Sequence, residues 1–388
     1  MKPPILTVQV EDILRRNESS YQQRVLPGPY SHTISAFGGF DTASFTLNTT
    51  QTEAENWLEH GIMRHVAVYG SALDIVWEGF LNELRVTVGP LTVTHGPFLD
   101  MANRVSVLYT PQVLGGVGAV SGSQTITADA DGAESQVLYG VQPVVLSSGA
   151  TTDAQAIKER DQYLLDNKWP KTTERLSSSA NRPVTVRVGC KGYQHLLNWP
   201  YYDDTAGTSY AHVKLAAVLA ASPNAVWLDY GTSYIETNNL DVRNAETDYR
   251  PAITIIKEIV AAGGATNDLR WLFQVLENRY VYYKVAPTSV DYMARVSGRG
   301  LVIHSAEQAV IDPWRLRPGY WLSLDDFMVG RDFPALTIAD DSLHRDPRLM
   351  FLEKVSYRAP FGLQVAGGNT DEINQLLAKY GLEGMPTT

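Results

Sequence analysis

Leu73 to Thr110 read LDIVWEGFLNELRVTVGPLTVTHGPFLDMANRVSVLYT, with apolar residues mostly at every second position. In a β-strand this alternation places one face on a core and the other face in water. Gly89-Pro90 separates two runs rich in β-branched residues and predicts a tight hairpin turn. Gly96-Pro97 breaks the next strand, and residues 105–109 predict another. We therefore expect a long bent hairpin and a return strand that closes a small antiparallel barrel, with Trp77 on the apolar face.

The residues before this hairpin continue the β pattern. Residues 32–47 alternate around a Gly-Gly pair and predict a second hairpin with a permissive turn. A short helix is predicted after it, capped by Thr50 or Thr52 and ended by Gly61. Residues 1–115 thus predict an N-terminal β-barrel domain of six or seven strands and one helix.

Residues 116–180 predict a Gly-rich loop and a helical connector. The sequence Gly116-x-Gly118-x-x-Ser121 is the nearest to a dinucleotide fingerprint, but it lacks the third glycine and a strand–turn–helix context. A flexible loop or arm is therefore favoured. Residues 153–167 predict an amphipathic helix that Pro170 ends, and residues 171–182 predict a polar link.

Residues 181–345 predict a second domain, described as a mixed β-barrel or α+β domain. Its predicted elements are a strand, two helices and four strand-like runs, at residues 184–190, 209–221, 248–262 and 271–304. Residues 346–388 predict a return strand and a C-terminal helix over residues 370–380. The expected fold class is α+β, mainly β, with helical connecting elements.

The bulk composition excludes several classes of protein. The 388 residues suffice for two or three domains, and 44% of them are hydrophobic. A net charge of −10 argues against nucleic-acid binding through a basic surface. The single cysteine, Cys190, excludes an internal disulfide and is expected to be a buried, inert thiol. The sequence begins without a secretory signal, and no stretch approaches the ~18 apolar residues of a membrane span. We therefore expect folding in a reducing cytoplasm, without membrane contact.

No catalytic, cofactor-binding or metal-binding residue is predicted. Adjacent aspartates in turns usually stay solvated or cap helices, and the chain has three such pairs, Asp203-Asp204, Asp325-Asp326 and Asp340-Asp341. The eight histidines form no HExxH motif, and neither a GxSxG elbow nor a Walker loop is present. Two aromatic clusters are candidates for sugar stacking or, as we favour, for core or interface anchoring: Trp199 with Tyr201 and Tyr202, and Trp314 with Tyr320 and Trp321. For the second cluster we expect a subunit interface.

Several short motifs between about residues 30 and 200 occur in a recognisable order. They are Trp77-Glu78-Gly79 with a β-turn-β return, Ala133-Glu134-Ser135 with Tyr139-Gly140, a helix over 151–167 ending in Trp169-Pro170, and a strand over 186–192 leading into C-x-G-Y. Each motif is short, so their order and spacing carry the comparison. In that order they resemble the tail hub proteins of tailed bacteriophages, which include baseplate hubs and tail-tip hubs.

The resemblance implies two tube-like antiparallel β-barrel domains, near residues 1–115 and within 181–345. Three chains would form a homotrimeric ring whose six barrels match a six-fold tail tube and line the DNA exit channel. The implied partners are the tail tube or distal tail protein, a tail fibre or central spike protein, and the tape-measure protein. DNA would pass through without specific binding. The implied location is the virion tail, assembled in the host cytoplasm, and no enzyme activity or cofactor is expected.

Two alternatives stay open. The segment YSHTISAFGGFDTASFTL at residues 30–47 also suits a distal tail protein of the same tail tip, which would form a hexameric ring. A tail-associated carbohydrate-binding or glycan-cleaving protein is the third hypothesis, and it rests on the aromatic clusters and the aspartate pairs.

Overall fold

Strands dominate the computed structural model, which describes residues 6–13, 23–25, 29–70, 73–115, 118–177, 183–200, 208–221, 227–243, 250–264, 270–287, 289–297, 300–305, 310–325, 349–359 and 362–367. Within these residues the chain is mainly β, with 25 strands and five α-helices. Seventeen strands form one large curled sheet, and the others form three small sheets. The expected mainly β character is thus confirmed. No helix among the described residues is long and apolar enough to cross a membrane.

Residues up to 177 supply the first fourteen strands and three helices. The strands are β1 (Thr7–Ile13), β2 (Gln23–Val25), β3 (Tyr30–Ser35), β4 (Gly38–Asn48), β5 (Arg64–Tyr69), β6 (Ile75–Val88), β7 (Leu91–His95), β8 (Arg104–Tyr109), β9 (Gln112–Gly115), β10 (Gly118–Ser121), β11 (Thr125–Ile126), β12 (Ala130–Asp131), β13 (Pro143–Ser147) and β14 (Thr172–Leu176). The helices are α1 (Gln51–His60), α2 (Ala133–Tyr139) and α3 (Asp153–Asn167).

The remaining elements begin at residue 185. The strands are β15 (Thr185–Lys191), β16 (Thr208–Tyr210), β17 (Asp241–Arg243), β18 (Trp271–Val275), β19 (Val281–Val285), β20 (Val290–Ser297), β21 (Gly300–Ser305), β22 (Val310–Ile311), β23 (Trp321–Asp325), β24 (Leu349–Arg358) and β25 (Gly362–Gly367). The helices are α4 (Ala211–Ala220) and α5 (Ala252–Ala261). The predicted helix at residues 370–380 lies outside the described residues.

Local sequence signals place several of these elements correctly. β3 and β4 form the predicted antiparallel hairpin, with Gly38 and Gly39 at φ of 94° and 80°. Thr50 caps α1 through its side chain, which accepts a hydrogen bond from the backbone N–H of Glu53. The β6–β7 hairpin turns at Gly89, whose φ of 55° lies in the left-handed region that glycine tolerates.

β6 differs from the prediction because both of its faces are buried along the first half. Every residue from Val76 to Asn82 is buried, and burial alternates only from Glu83 onward. The second face is covered by residues far along the chain, including the turn at Glu277–Arg279. The expectation of one face in water is therefore wrong for the first half of this strand.

The return strand is also different from the one predicted. β8 pairs with β11, β12 and β13 in a small separate sheet, against which α3 packs. One edge of β6 is occupied by β5 and β7, and the other is occupied by β15, so β6 has no edge left for β8. The strand that returns along β6 is β15, which therefore comes about 80 residues later than predicted.

Two stretches predicted to be irregular contain strands. Residues 172–176, inside the predicted polar link, form β14, which pairs with β7 and has all five side chains exposed. Exposure on both faces removes the apolar alternation by which a strand is recognised. In the Gly-rich segment, β9 and β10 form an antiparallel hairpin, so the partial dinucleotide fingerprint does not precede a helix.

The main core lies inside the curled sheet. It is built from strands on both sides of residue 180, because β15 lies between β4 and β6, and β18 pairs in parallel with the start of β4. The helices α4 and α5 pack over the same core through Leu215, Val218, Ile255 and Ile256. The described pairings thus join strands from residues 1–115 and 181–345 in one sheet.

Candidate functional site

A junction of buried polar side chains lies behind the first half of β6. His65 on β5 and Glu78 on β6 are fully buried. Nδ1 of His65 and the hydroxyl of Tyr193 lie 2.5 Å apart, and Nε2 of His65 lies 3.6 Å from Oε1 of Glu78. Tyr193 belongs to the 3-10 turn that follows β15, so this junction links three separate parts of the chain.

The second carboxylate oxygen of Glu78 holds the loop between β18 and β19. Oε2 accepts a hydrogen bond of 2.6 Å from the backbone N–H of Asn278. Asn278 and Arg279 have φ of 58° and 62°, a left-handed conformation that L-residues other than glycine adopt at a cost. The buried carboxylate satisfies the turn's amide and thereby stabilises this conformation.

Arg317 ties a third segment to the same strand. Its guanidinium donates to the backbone carbonyls of Val76 and Ile75, each at 2.9 Å, and lies over the ring of Phe40. Burial lowers the pKa of Arg317 from its ordinary value, and the guanidinium in turn disfavours a second positive charge nearby. Burial and, secondarily, Arg317 lower the pKa of His32 to about 3, so this histidine is neutral in the folded chain.

The junction has the residue types of a proton relay but not the access that a reaction needs. The His65 and Glu78 side chains have no exposed surface, and their polar atoms contact Tyr193 and a backbone amide. General acid–base chemistry requires these groups to reach a substrate. The arrangement therefore holds strands and loops together.

A second notable surface faces outward from β19. We call it the tyrosine stripe, and it consists of Tyr234, Tyr280, Tyr282, Lys284 and Tyr320, all half-buried. Residues 280, 282 and 284 share one strand face, while Val281 and Tyr283 point into the core. The rings of Tyr234 and Tyr280 stack at 4.4 Å between centroids, and Tyr282 meets Tyr234 edge-on at 5.3 Å. The ammonium of Lys284 lies 5.4 Å from the Tyr282 ring and 5.9 Å from the Tyr320 ring.

The aromatic clusters singled out in the sequence lie elsewhere. Trp199, Trp314 and Trp321 are buried in core clusters, so a subunit interface is the wrong interpretation for Trp314 and Trp321. Tyr320 alone of that cluster reaches the surface, next to Lys284. Tyr201 and Tyr202 lie outside the described residues. The tyrosine stripe was missed, although the alternation of Tyr280, Tyr282 and Lys284 is a readable signal.

The remaining candidates show no reactive grouping. Cys190 is buried on β15, and burial raises the pKa of its thiol, in agreement with an inert side chain. Asp325 ends β23, whereas Asp203, Asp204, Asp326, Asp340 and Asp341 lie outside the described residues. Across the described part of the chain, no group of three or more histidine, cysteine, aspartate or glutamate side chains is placed to hold a metal ion.

Comparison with known proteins gives a limited result. No family model and no curated protein matches the sequence. Among solved structures, the chain is similar to a tail protein from Neisseria meningitidis MC58, with a TM-score of 0.40, 7% identity and coverage of 92% of each chain. It is also similar to the 43 kDa tail protein of prophage MuSo2 from Shewanella oneidensis, with a TM-score of 0.38, 6% identity and coverage of 94% of this chain and 97% of the other. Scores this low do not establish a shared fold or family.

Proposed function

We propose that this chain is a structural protein of a bacteriophage tail tip or baseplate, a hub ring that joins the tail tube to fibre or spike proteins. The observation that carries the proposal is the position of the W-x-G motif on β6. Trp77 is fully buried in the core, and a Cβ at Gly79 would overlap the carbonyl oxygen of Lys191 on β15. Both motif residues thus have a packing role on β6, the strand that the resemblance to tail hubs assigns to the first barrel.

The buried polar groups support a structural role. Glu78, His65 and Arg317 bind backbone groups and a tyrosine of distant segments, and they leave no open site for a substrate. In a ring protein, such contacts would keep the subunit rigid while neighbouring subunits and the tube assemble around it.

The proposed assembly is a three-fold ring. Two tube-like barrels, near residues 1–115 and within 181–345, would give six barrels per ring and match a six-fold tube. The net charge of −10 suits a channel through which DNA slides, because each phosphate contact with Lys or Arg adds affinity. The proposed partners are the tail tube or distal tail protein, a tail fibre or central spike protein, and the tape-measure protein.

The mass of the native assembly tests this proposal. We expect a trimer by native mass spectrometry, together with negligible binding of duplex DNA at moderate salt. A hexamer would favour the distal tail protein instead. A chain that stays monomeric at high concentration, or one that binds DNA tightly, would overturn the ring and its channel.

A glycan-directed protein is the second candidate, because the tyrosine stripe gives it a half-buried aromatic surface. If the chain cleaved glycans, hydrolysis of cell-wall polysaccharide would be measurable and would be abolished by Asp325→Asn or Asp203→Asn. We expect no turnover.

A further inference from the structure

We propose that the outer face of the sheet at β15, β6, β7 and β14 is a contact between copies of this chain, and that it binds the acidic outer face of α3 on the next copy. This inference rests on the proposed hub ring and names the two surfaces that meet in it. We call the first surface the arginine face, and it consists of Arg85, Arg175 and Arg187 with Thr46, Thr87, Thr94, Thr173 and Thr185.

The strand register places the arginines together on the solvent side of the sheet. Arg187 on β15 lies directly opposite Arg85 on β6. The same row continues through Thr94 on β7 to Thr173 on β14, and Arg175 lies two residues further along β14. Residues paired in this way share one face. The other face of β6 and β15 carries buried valines, which are Val86, Val186 and Val188. The three arginines therefore point away from the core, and all are exposed.

The positive charge of this face is not neutralised within the described residues. Directly opposite residues of an antiparallel pair have Cβ atoms roughly 4.5–5.5 Å apart, and like charges placed so destabilise the sheet. Among the described residues, no salt bridge joins Arg85, Arg175 or Arg187 to a carboxylate, although Glu83 lies on the same face opposite Gly189. A guanidinium group pairs best with a carboxylate, which it can bind through two parallel hydrogen bonds. A partner that brings carboxylates would therefore remove the repulsion.

The outer face of α3 has the complementary charge. Four carboxylates of this helix are exposed, whereas Lys158 is its one exposed cation and Arg160 is half-buried against Asp161. The four are Asp153, Glu159, Asp161 and Asp166. Leu165 is 64% exposed and lines a shallow groove on the same helix together with Ala154 and Ile157. The face thus offers carboxylates for the guanidinium groups and an apolar groove for the methyl groups of the threonines.

The two surfaces belong to one chain but do not meet within it. α3 packs on the small sheet through Ala156, and across the described part of the chain no salt bridge joins α3 to the arginine face. Contact between the two surfaces therefore requires a second copy. Because the surfaces differ, the contact is head-to-tail, and such contacts generate a ring when the rotation between copies closes.

The same features disfavour nucleic acid as the occupant. The chain carries a net charge of −10, which repels a polyanion at long range. Proteins that bind single strands stack the bases on aromatic side chains, and the arginine face has no aromatic residue among its eight members. The acidic helix of another copy fits this flat face of guanidinium and hydroxyl groups better.

Analytical ultracentrifugation of the full chain tests the contact through a charge swap. The parent chain should assemble, and Arg85→Glu with Arg187→Glu should raise the dissociation constant of the assembly by about tenfold or more. Asp161→Arg with Asp166→Arg should have the same effect from the other side. A chain with all four substitutions again brings opposite charges together and should recover the parent assembly.

The matched control is Lys257→Glu with Arg358→Glu. It changes the net charge as much as the arginine-face variant does, at exposed residues of α5 and β24. This control should leave the assembly unchanged, and circular dichroism should show that every variant is folded.

The possible results separate this contact from the hub ring itself. A parent assembly that both pairs of substitutions leave intact, or that the four-fold variant fails to recover, would overturn the contact and leave the ring standing. A parent chain that stays monomeric at high concentration would overturn both. Binding of duplex DNA by the parent chain that Arg85→Glu with Arg187→Glu abolishes would also overturn the contact, since the face would then bind nucleic acid.

Discussion

At the residue scale, Trp77 and Gly79 have opposite effects on packing within β6, because one side chain is large and the other is absent. Trp77 is fully buried in the main core and lies against Phe40. Gly79 leaves the space into which the backbone of Lys191 fits. One motif therefore fills the core and also permits the close approach of β15.

Replacing Trp77 by Ala should lower the free energy of unfolding by about 3–5 kcal/mol, because a large buried side chain leaves a cavity. Urea denaturation followed by circular dichroism measures the change, and we expect insoluble or unassembled protein in the cell. Trp169→Ala is the control, since Trp169 is 37% exposed and should cost much less. A soluble Trp77→Ala chain that assembles fully would show that the burial of this face is not required.

His32 should make the folded chain sensitive to mild acid. Its pKa is about 3 in the folded chain and 6.5 in a model peptide, so between these values the unfolded chain binds a proton that the folded chain does not. Stability therefore rises with pH in this window, and about 2 kcal/mol should be lost on acidification from pH 6.5 to pH 5.

The His32→Gln variant tests that linkage. Its unfolding free energy should depend less steeply on pH between 6.5 and 5 than that of the parent chain. A second residue, Asp41, affects the free energy of unfolding at lower pH. The hydrogen bond from His195 lowers the pKa of Asp41 below its ordinary value of 3.8. Stability from Asp41 is present above that value and is lost as the pH falls through the lowered pKa. Equal pH slopes for parent and variant between 6.5 and 5 would contradict the role of His32.

At the scale of elements, the loop between β18 and β19 depends on β6. The backbone N–H of Asn278 donates to the carboxylate of Glu78, at a separation of 200 residues in sequence. Glu78→Ala should cost about 1–3 kcal/mol, because it removes a fully buried side chain and the acceptor of this partly buried hydrogen bond. Glu78→Gln keeps an acceptor oxygen and should cost less. Thermal unfolding of the two variants measures the difference, and equal melting temperatures would rule out the hydrogen bond as the stabilising contact.

The same scale shows which features the sequence predicts. Thr50 caps α1 and Gly89 turns the β6–β7 hairpin through contacts within a few residues, so local patterns suffice for them. The pairing of β15 with β6 and the contact of His65 with Tyr193, 128 residues apart, leave no local signal. The exposed strand β14 was missed because its side chains carry no apolar alternation. The tyrosine stripe had a local signal on β19, but its fourth and fifth members come from separate loops.

At the scale of the whole molecule, one curled sheet combines strands from the start, middle and end of the described chain. β24 pairs with β3, so a strand near the end of the described chain lies beside a strand near its start. The main core continues through strands on both sides of residue 180. Strands that are far apart in the sequence are therefore held together by one sheet and one main core.

The insertion of β15 between β4 and β6 also sets the timing of folding during synthesis. Thr185 leaves the ribosome about 100 residues after Val88, and at 5–20 residues per second this takes roughly 5–20 s. Throughout that interval the nascent chain holds two unpaired strand edges, those of β4 and β6, which face the place that β15 will take. Such edges are templates for pairing with another chain. Slow translation of residues 89–191 would therefore lengthen exposure to aggregation, and ribosome-bound chaperones would be most needed there.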